Sequence, residues 1–253
     1  MAGYTVIAVS GKGGVGKSTF SALLIRTLRD RGSGAVLAVD ADPNSCLPEY
    51  LGLEVDTTVG GIREDTLRNI ADIPAGMTKE RYLKFRMQEC LVESSGIDLI
   101  VMGRQEGPGC YCYVNNLLRD HGDSLYRNYR YIVIDNEAGM EHLSRRTAGK
   151  IDSLLIVSDL SSAALKAAVR IRELSDDLGL STRYTGLVLN RMNGDDEDKR
   201  YKYVEETGLK VAGKIPLDEN FAEIGFSEDS LLDIPDGSPA LKAVAEIVDT
   251  VGL

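Results

Sequence analysis

The stretch YTVIAVSGKGGVGKST, residues 4–19, decides the fold. Residues 4–10 form an apolar run without clean alternation, as a strand buried on both faces reads. Gly11-Lys12-Gly13-Gly14-Val15-Gly16-Lys17-Ser18-Thr19 follows and fits G-x-x-x-x-G-K-[ST] between a strand and a helix. Glycine reaches positive φ without penalty, so successive amides can turn inward as a nest for phosphate oxygens. The helix N-terminus adds its dipole. Lys17 is placed to reach the β- and γ-phosphates, and the Ser18 hydroxyl to ligate Mg²⁺.

Working outward, short apolar runs recur at 35–40, 97–102, 131–135, 153–158, 184–190 and 210–215. Helical stripes lie between them: Phe20, Leu23, Leu24 and Leu28; then Leu165, Val169, Ile171, Leu174 and Leu178; then Leu241, Val244, Ala245 and Val248. This alternation predicts an α/β fold, a mostly parallel central sheet with helices on both faces and right-handed crossovers. Residues 56–95 hold no obvious strand and read as helices with loops. Residues 103–110, GRQEGPGC, read as a Gly/Pro loop directly after a strand. No repeat or linker divides the chain, so residues 1–253 are expected to form one P-loop ATPase domain.

The 253 residues carry 29 basic and 39 acidic side chains, a net charge of −10. That balance disfavours non-specific binding to nucleic acid or to an anionic membrane. The start has no basic n-region and no long apolar run, and no stretch is long enough to span a bilayer. A cytoplasmic location is expected. In a reducing cytosol Cys46, Cys90, Cys110 and Cys112 are free thiols or metal ligands before they are a disulfide framework.

Lys12 is an extra lysine just inside the loop, and G-K-G-G-x-G-K-S-T resembles the deviant P-loop of the MinD/ParA/nitrogenase-iron-protein superfamily. The resemblance implies that Lys12 contacts the nucleotide of a facing subunit and that ATP joins two chains as a homodimer. Asp40-Ala41-Asp42-Pro43-Asn44 stands where that superfamily keeps its first switch segment. By the same resemblance Asp42 orients the attacking water and Asp40 supports Mg²⁺ through water. Asp135 ends the strand YIVID as a Walker B aspartate does, and Gly139 would sense the γ-phosphate. Strand-end carboxylates beside the crevice suit an α/β ligand site, though either aspartate also fits a helix N-cap. A guanine site would read N-K-x-D; here the strand ends Asn190-Arg191-Met192-Asn193. Asn190 fits the superfamily's adenine-contacting asparagine, whose amide can pair with N6 and N7. Ile215-Pro216-Leu217 resembles the segment that lies against the base. The nucleotide-binding set is therefore Gly11 to Thr19 with Asn190, Arg191, Pro216 and Leu217. Lys12, Lys17 and Asp42 are the catalytic candidates, and Ser18, Asp40 and Asp135 the Mg²⁺ candidates.

Cys110-Tyr111-Cys112 lies in GPGCYCYVNN. Burial of both thiols sits badly with a Gly/Pro loop, and a disulfide between i and i+2 closes a strained ring. Metal binding remains: thiolates suit Zn²⁺, Ni²⁺ and Cu⁺. If ATP pairs two chains about a two-fold axis, a loop near the axis would supply four thiolates to one ion. The P-loop, D-A-D-P-N, the CxC loop and YIVIDNEAGMEHLSRR, in that order, resemble the CooC-type nickel-insertion ATPases. DNEAGMEHLSRR departs from the D-x-P-A-G of MinD-like relatives. The resemblance covers about residues 5–220. It implies a Mg-ATP-dependent metallochaperone that hydrolyses ATP to ADP and delivers Ni²⁺ to apo carbon monoxide dehydrogenase or the related acetyl-CoA synthase. Zn²⁺ can substitute at such thiolates. A MinD/ParA-like positioning ATPase and an ATP-gated iron–sulfur electron donor are the alternatives. Cys46 and Cys90 read as packing thiols, and His121 and His142 as surface histidines.

Overall fold

A computed structural model describes residues 3–32, 34–69, 73–103, 125–137, 151–193, 197–221 and 230–253. The eight strands found there form one sheet: β1 (Thr5–Gly11), β2 (Val36–Ala41), β3 (Leu91–Glu93), β4 (Ile97–Val101), β5 (Tyr131–Asn136), β6 (Ser153–Ser158), β7 (Tyr184–Met192) and β8 (Val211–Pro216). Their order is β3-β4-β2-β5-β1-β6-β7-β8. Every pairing is parallel except β3 with β4. The runs picked out by apolar character are the parallel strands. Being covered on both faces, they cannot carry polar alternation.

Seven α-helices are described: α1 (Lys17–Asp30), α2 (Leu47–Leu51), α3 (Val59–Arg68), α4 (Lys79–Arg86), α5 (Ser162–Asp177), α6 (Glu197–Glu206) and α7 (Pro239–Val251). Successive strand residues face opposite sides. Val6 and Ala8 join the core under α3 and α5, while Ile7 and Val9 join the core under α1, α2 and α7. In α7, Val244, Ile247 and Val248 are buried.

Two expectations need correction. The interval 56–95 holds α3 and α4 but also β3, a half-exposed three-residue edge strand too short to leave a pattern. In α5 the buried stripe is Ala164, Leu165, Ala168, Ile171 and Ser175, while Leu174 is 37% exposed. Leu165 and Ile171 of the expected stripe are buried, but Ala164 and Ala168 complete the buried face in place of Leu174, and their small size lets the helix sit close to the sheet.

Candidate functional site

The strand order reverses around β1, so the carboxyl ends of β1, β2 and β5 open into one crevice, where ligands bind in open α/β sheets. β1 ends at Gly11, whose φ is +155°. A Cβ there would run into the Val157 carbonyl oxygen of β6. Gly16, at φ +90°, is the N-cap of α1, and no side chain caps that helix. The first-turn amides are thus left to a ligand, and no acidic side chain in that turn competes with an anion. Val15 is buried beneath the loop, while Lys12, Gly13 and Gly14 are exposed.

A cleft of about 340 Å³ lies over this turn. Gly13, Gly14, Gly16, Lys17, Ser18, Thr19, Asp42 and Arg191 line it. Lys17 is 7% exposed, so its ammonium is held inward from α1 rather than free in solvent. Asn44, Cys46, Tyr50 and Glu137 also line the cleft. Pro216 and Leu217 lie at the end of β8, where the Leu217 N–H donates to the Met192 carbonyl at 3.0 Å, next to Arg191.

Beneath the cleft Asp40 and Asp135 are register partners on the adjacent strands β2 and β5, and both are fully buried. Asp40 Oδ1 accepts from the Asp42 N–H and Oδ2 from the Leu47 N–H, each at 3.0 Å. Burial, then the charge of Asp135, pushes the Asp40 carboxyl up to about 7. Burial lifts Asp135 to about 6, against the pull of the Ser18 and Ser21 hydroxyls and Lys17. Asp135 Oδ1 accepts from Ser21 Oγ at 3.1 Å, while Oδ2 is buried with no hydrogen-bond partner. A buried carboxylate oxygen without a partner is costly unless a cation or ligand completes it. With the Ser18 hydroxyl and the second carboxylate nearby, this all-oxygen donor set fits Mg²⁺.

Asp42 is half-buried at the cleft, and its Oδ1 accepts from the backbone N–H and Nδ2 of Asn44 at 2.9 and 3.0 Å. The turn closes through Ser45, at φ +50°, whose N–H reaches the Asp42 carbonyl at 2.9 Å. Cys46 follows as the N-cap of α2. It is half-buried in the cleft wall and not in the core, and burial and the nearby Asp40 and Asp42 raise its thiol. Cys90 is fully buried, and burial pushes its thiol up to about 12.

Cys110, Cys112, His121, Gly139 and His142 lie outside the described residues. Among the described residues no cluster of His, Cys, Asp and Glu has the geometry of a metal site. No described helix is long and apolar enough to cross a membrane.

Tyr50 and Arg26 carry no sequence signal of a role at the site. Tyr50 adds a ring to the wall, and its carbonyl accepts the Leu231 N–H at 2.8 Å. Arg26, 5% exposed on α1, donates to the carbonyls of Leu231 and Ile234 and to Asp236. The phosphate-loop helix and the cleft wall are thereby tied to the same segment.

This fold and cleft define a P-loop nucleotide-binding protein. Residues 6–231 match the model of the CobQ/CobB/MinD/ParA nucleotide-binding domain, and the chain belongs to that family. It is 44% identical over 248 residues to an uncharacterised ATP-binding protein of Methanocaldococcus jannaschii, covering 97% of this chain and 98% of that one. It is 34% identical over 190 residues to the carbon monoxide dehydrogenase accessory protein CooC of Rhodospirillum rubrum, covering 70% and 71% of the two chains. Among solved structures, the MinC:MinD cell division complex of Aquifex aeolicus contains a chain that superposes with a TM-score of 0.72 at 20% identity, covering 97% of this chain and 94% of that one.

Proposed function

We propose that this chain is a homodimeric metallochaperone ATPase, one that carries Ni²⁺ on Cys110 and Cys112 and releases it to apo carbon monoxide dehydrogenase or acetyl-CoA synthase. The observation that carries the proposal is the pairing of two features in one chain. One is a phosphate loop above a buried, partner-less Asp135 oxygen. The other is a CxC sequence immediately followed by a Tyr-Val-Asn-Asn run, in a chain 34% identical to the dehydrogenase accessory protein.

In this reading the amides from Gly13 to Thr19 and the Lys17 ammonium bind the phosphates. Arg191, Pro216 and Leu217 border the base side, with Asn190 behind them. Ser18 and Asp135 would hold Mg²⁺, with Asp40 behind them. The chemistry that Mg²⁺ supplies when bound is neutralisation of charge on the β- and γ-phosphates. Asp42 orients a water for in-line attack, giving ADP and phosphate. Lys12 completes the charge at the site of the facing subunit. Catalysis is then positioning and charge neutralisation, with no covalent step. Two chains contribute four thiolates to one nickel ion, which travels as cargo. Nucleotide state alters the dimer geometry and, through it, the grip on the metal.

The positioning-ATPase alternative has less support. A membrane-directed helix needs a free basic amphipathic face. In α7 the apolar stripe is buried, and the residues 239–251 carry one lysine against two acids.

An anaerobic Ni²⁺ titration of metal-free protein, with molar mass read by light scattering, tests the proposal. The expected result is saturation at one Ni²⁺ per two chains with conversion of monomer to dimer, both lost in Cys112→Ala. Binding that survives Cys112→Ala removes the metallochaperone reading, and a brown iron-loaded dimer supports the electron-donor alternative instead.

A further inference from the structure

β7 reaches the phosphate loop through a break in its own ladder. Its pairing with β8 shifts register between Leu189 and Met192, and Arg191 sits at φ +58°. A non-glycine residue in the left-handed region is strained, so it persists only where the surroundings hold it. The residue before it does the holding. Asn190 is 9% exposed, and its Oδ1 accepts from the Arg191 N–H at 2.9 Å. Its Nδ2 donates to the carbonyl of Val15 at 2.8 Å, a bond between residues 175 positions apart. The next residue of the loop is Gly16, where a Cβ would collide with that same Nδ2. The side chain therefore fits between β7 and the loop only because position 16 has no Cβ.

We infer that Asn190 is a positioning residue of the phosphate loop, a strut that fixes the Val15–Gly16 peptide and so aims the first-turn amides of α1 at the phosphates. The inference rests on the reading of residues 11–19 as a phosphate site. It differs from a base-reading role in what it makes of the amide. Nδ2 engages the loop carbonyl, and Oδ1 braces the turn that brings Arg191 to the cleft wall. A strut acts on whatever occupies the phosphate site. A base reader acts only on ligands that carry its base.

That difference sets the test. Affinities for ATP, ITP and inorganic tripolyphosphate, each with Mg²⁺, are measured on the full chain, Asn190→Ala and Asn190→Asp. ITP lacks the exocyclic amine of adenine, and tripolyphosphate lacks a base altogether. Asn190→Ala is expected to weaken all of these ligands by one common factor of about 5, the equivalent of one neutral hydrogen bond. Asn190→Asp keeps the acceptor for Arg191 but sets a carboxylate against the Val15 carbonyl, so it weakens all of them by about 10-fold or more. This near-isosteric variant also keeps the test alive if the alanine variant fails to fold. Loss of affinity for ATP, with or without loss for ITP, while tripolyphosphate is unchanged overturns the strut and makes Asn190 a base reader. Unchanged affinity for every ligand also overturns it. If the parent chain binds none of the ligands, the phosphate-site reading itself fails, an outcome distinct from a variant-specific null.

Discussion

Replacing Asp40 by asparagine should change the pH dependence of stability more than stability at any single pH. Asp40 keeps its proton in the folded chain up to about 7, against 3.8 when unfolded. Between those values the folded state binds more protons than the unfolded state, so stability falls as pH rises through the window and levels off above it. At 1.36 kcal/mol per decade of proton affinity, the full span corresponds to about 4 kcal/mol. Relaxation and water penetration reduce this to about 2 kcal/mol. Asp40→Asn removes the charge and keeps one of the two acceptors that serve Asp42 and Leu47, at a cost of about 1 kcal/mol. The variant should therefore be slightly less stable than the parent at pH 4.5. It should gain on the parent by about 2 kcal/mol towards pH 8.5. Urea unfolding followed by circular dichroism, in EDTA and without nucleotide, reads the difference. A parent-to-variant difference that stays constant from pH 4.5 to 8.5 would refute the claim that two adjacent buried carboxylates oppose each other's ionisation in the folded chain.

Two further outcomes follow from the same geometry. Arg26→Ala strips hydrogen-bond donors from the carbonyls of Leu231 and Ile234, so it should cost about 2–4 kcal/mol in unfolding free energy and lower the melting temperature. A wild-type melting curve would show that the clamp carries no stability. Lys17→Met keeps most of the buried stem but removes the ammonium at the cleft, so it should lower MgATP affinity about 100-fold by calorimetry with little change in melting temperature.

The sheet is legible in the sequence because its parallel strands are buried on both faces and leave unbroken apolar runs. β3 is not, since Leu91–Glu93 is short, half-exposed and paired on one side only. The α5 stripe is legible at Leu165 and Ile171, but Ala164 and Ala168 complete the buried face where Leu174 does not. At the site, the glycines and Lys17 announce themselves by spacing, for phosphate binding is local chemistry. The neighbouring relation of Asp40 and Asp135 is not local. It arises only when β2 and β5 align in register. Asn190 is visible as a strand-end amide, but its bond to the Val15 carbonyl is a product of the fold alone. Cys46 reads as a packing thiol, yet the turn built on Asp42 delivers it to the cleft wall.

The most direct test of the central claim is nickel transfer to apo carbon monoxide dehydrogenase. The parent chain, loaded with one Ni²⁺ per dimer, is mixed with the apo-enzyme with and without MgATP. CO-oxidation activity should appear with MgATP, and should be lost with Lys17→Met and with Cys112→Ala. Activation that proceeds equally without MgATP, or with either variant, would contradict an ATP-driven delivery of nickel by this chain.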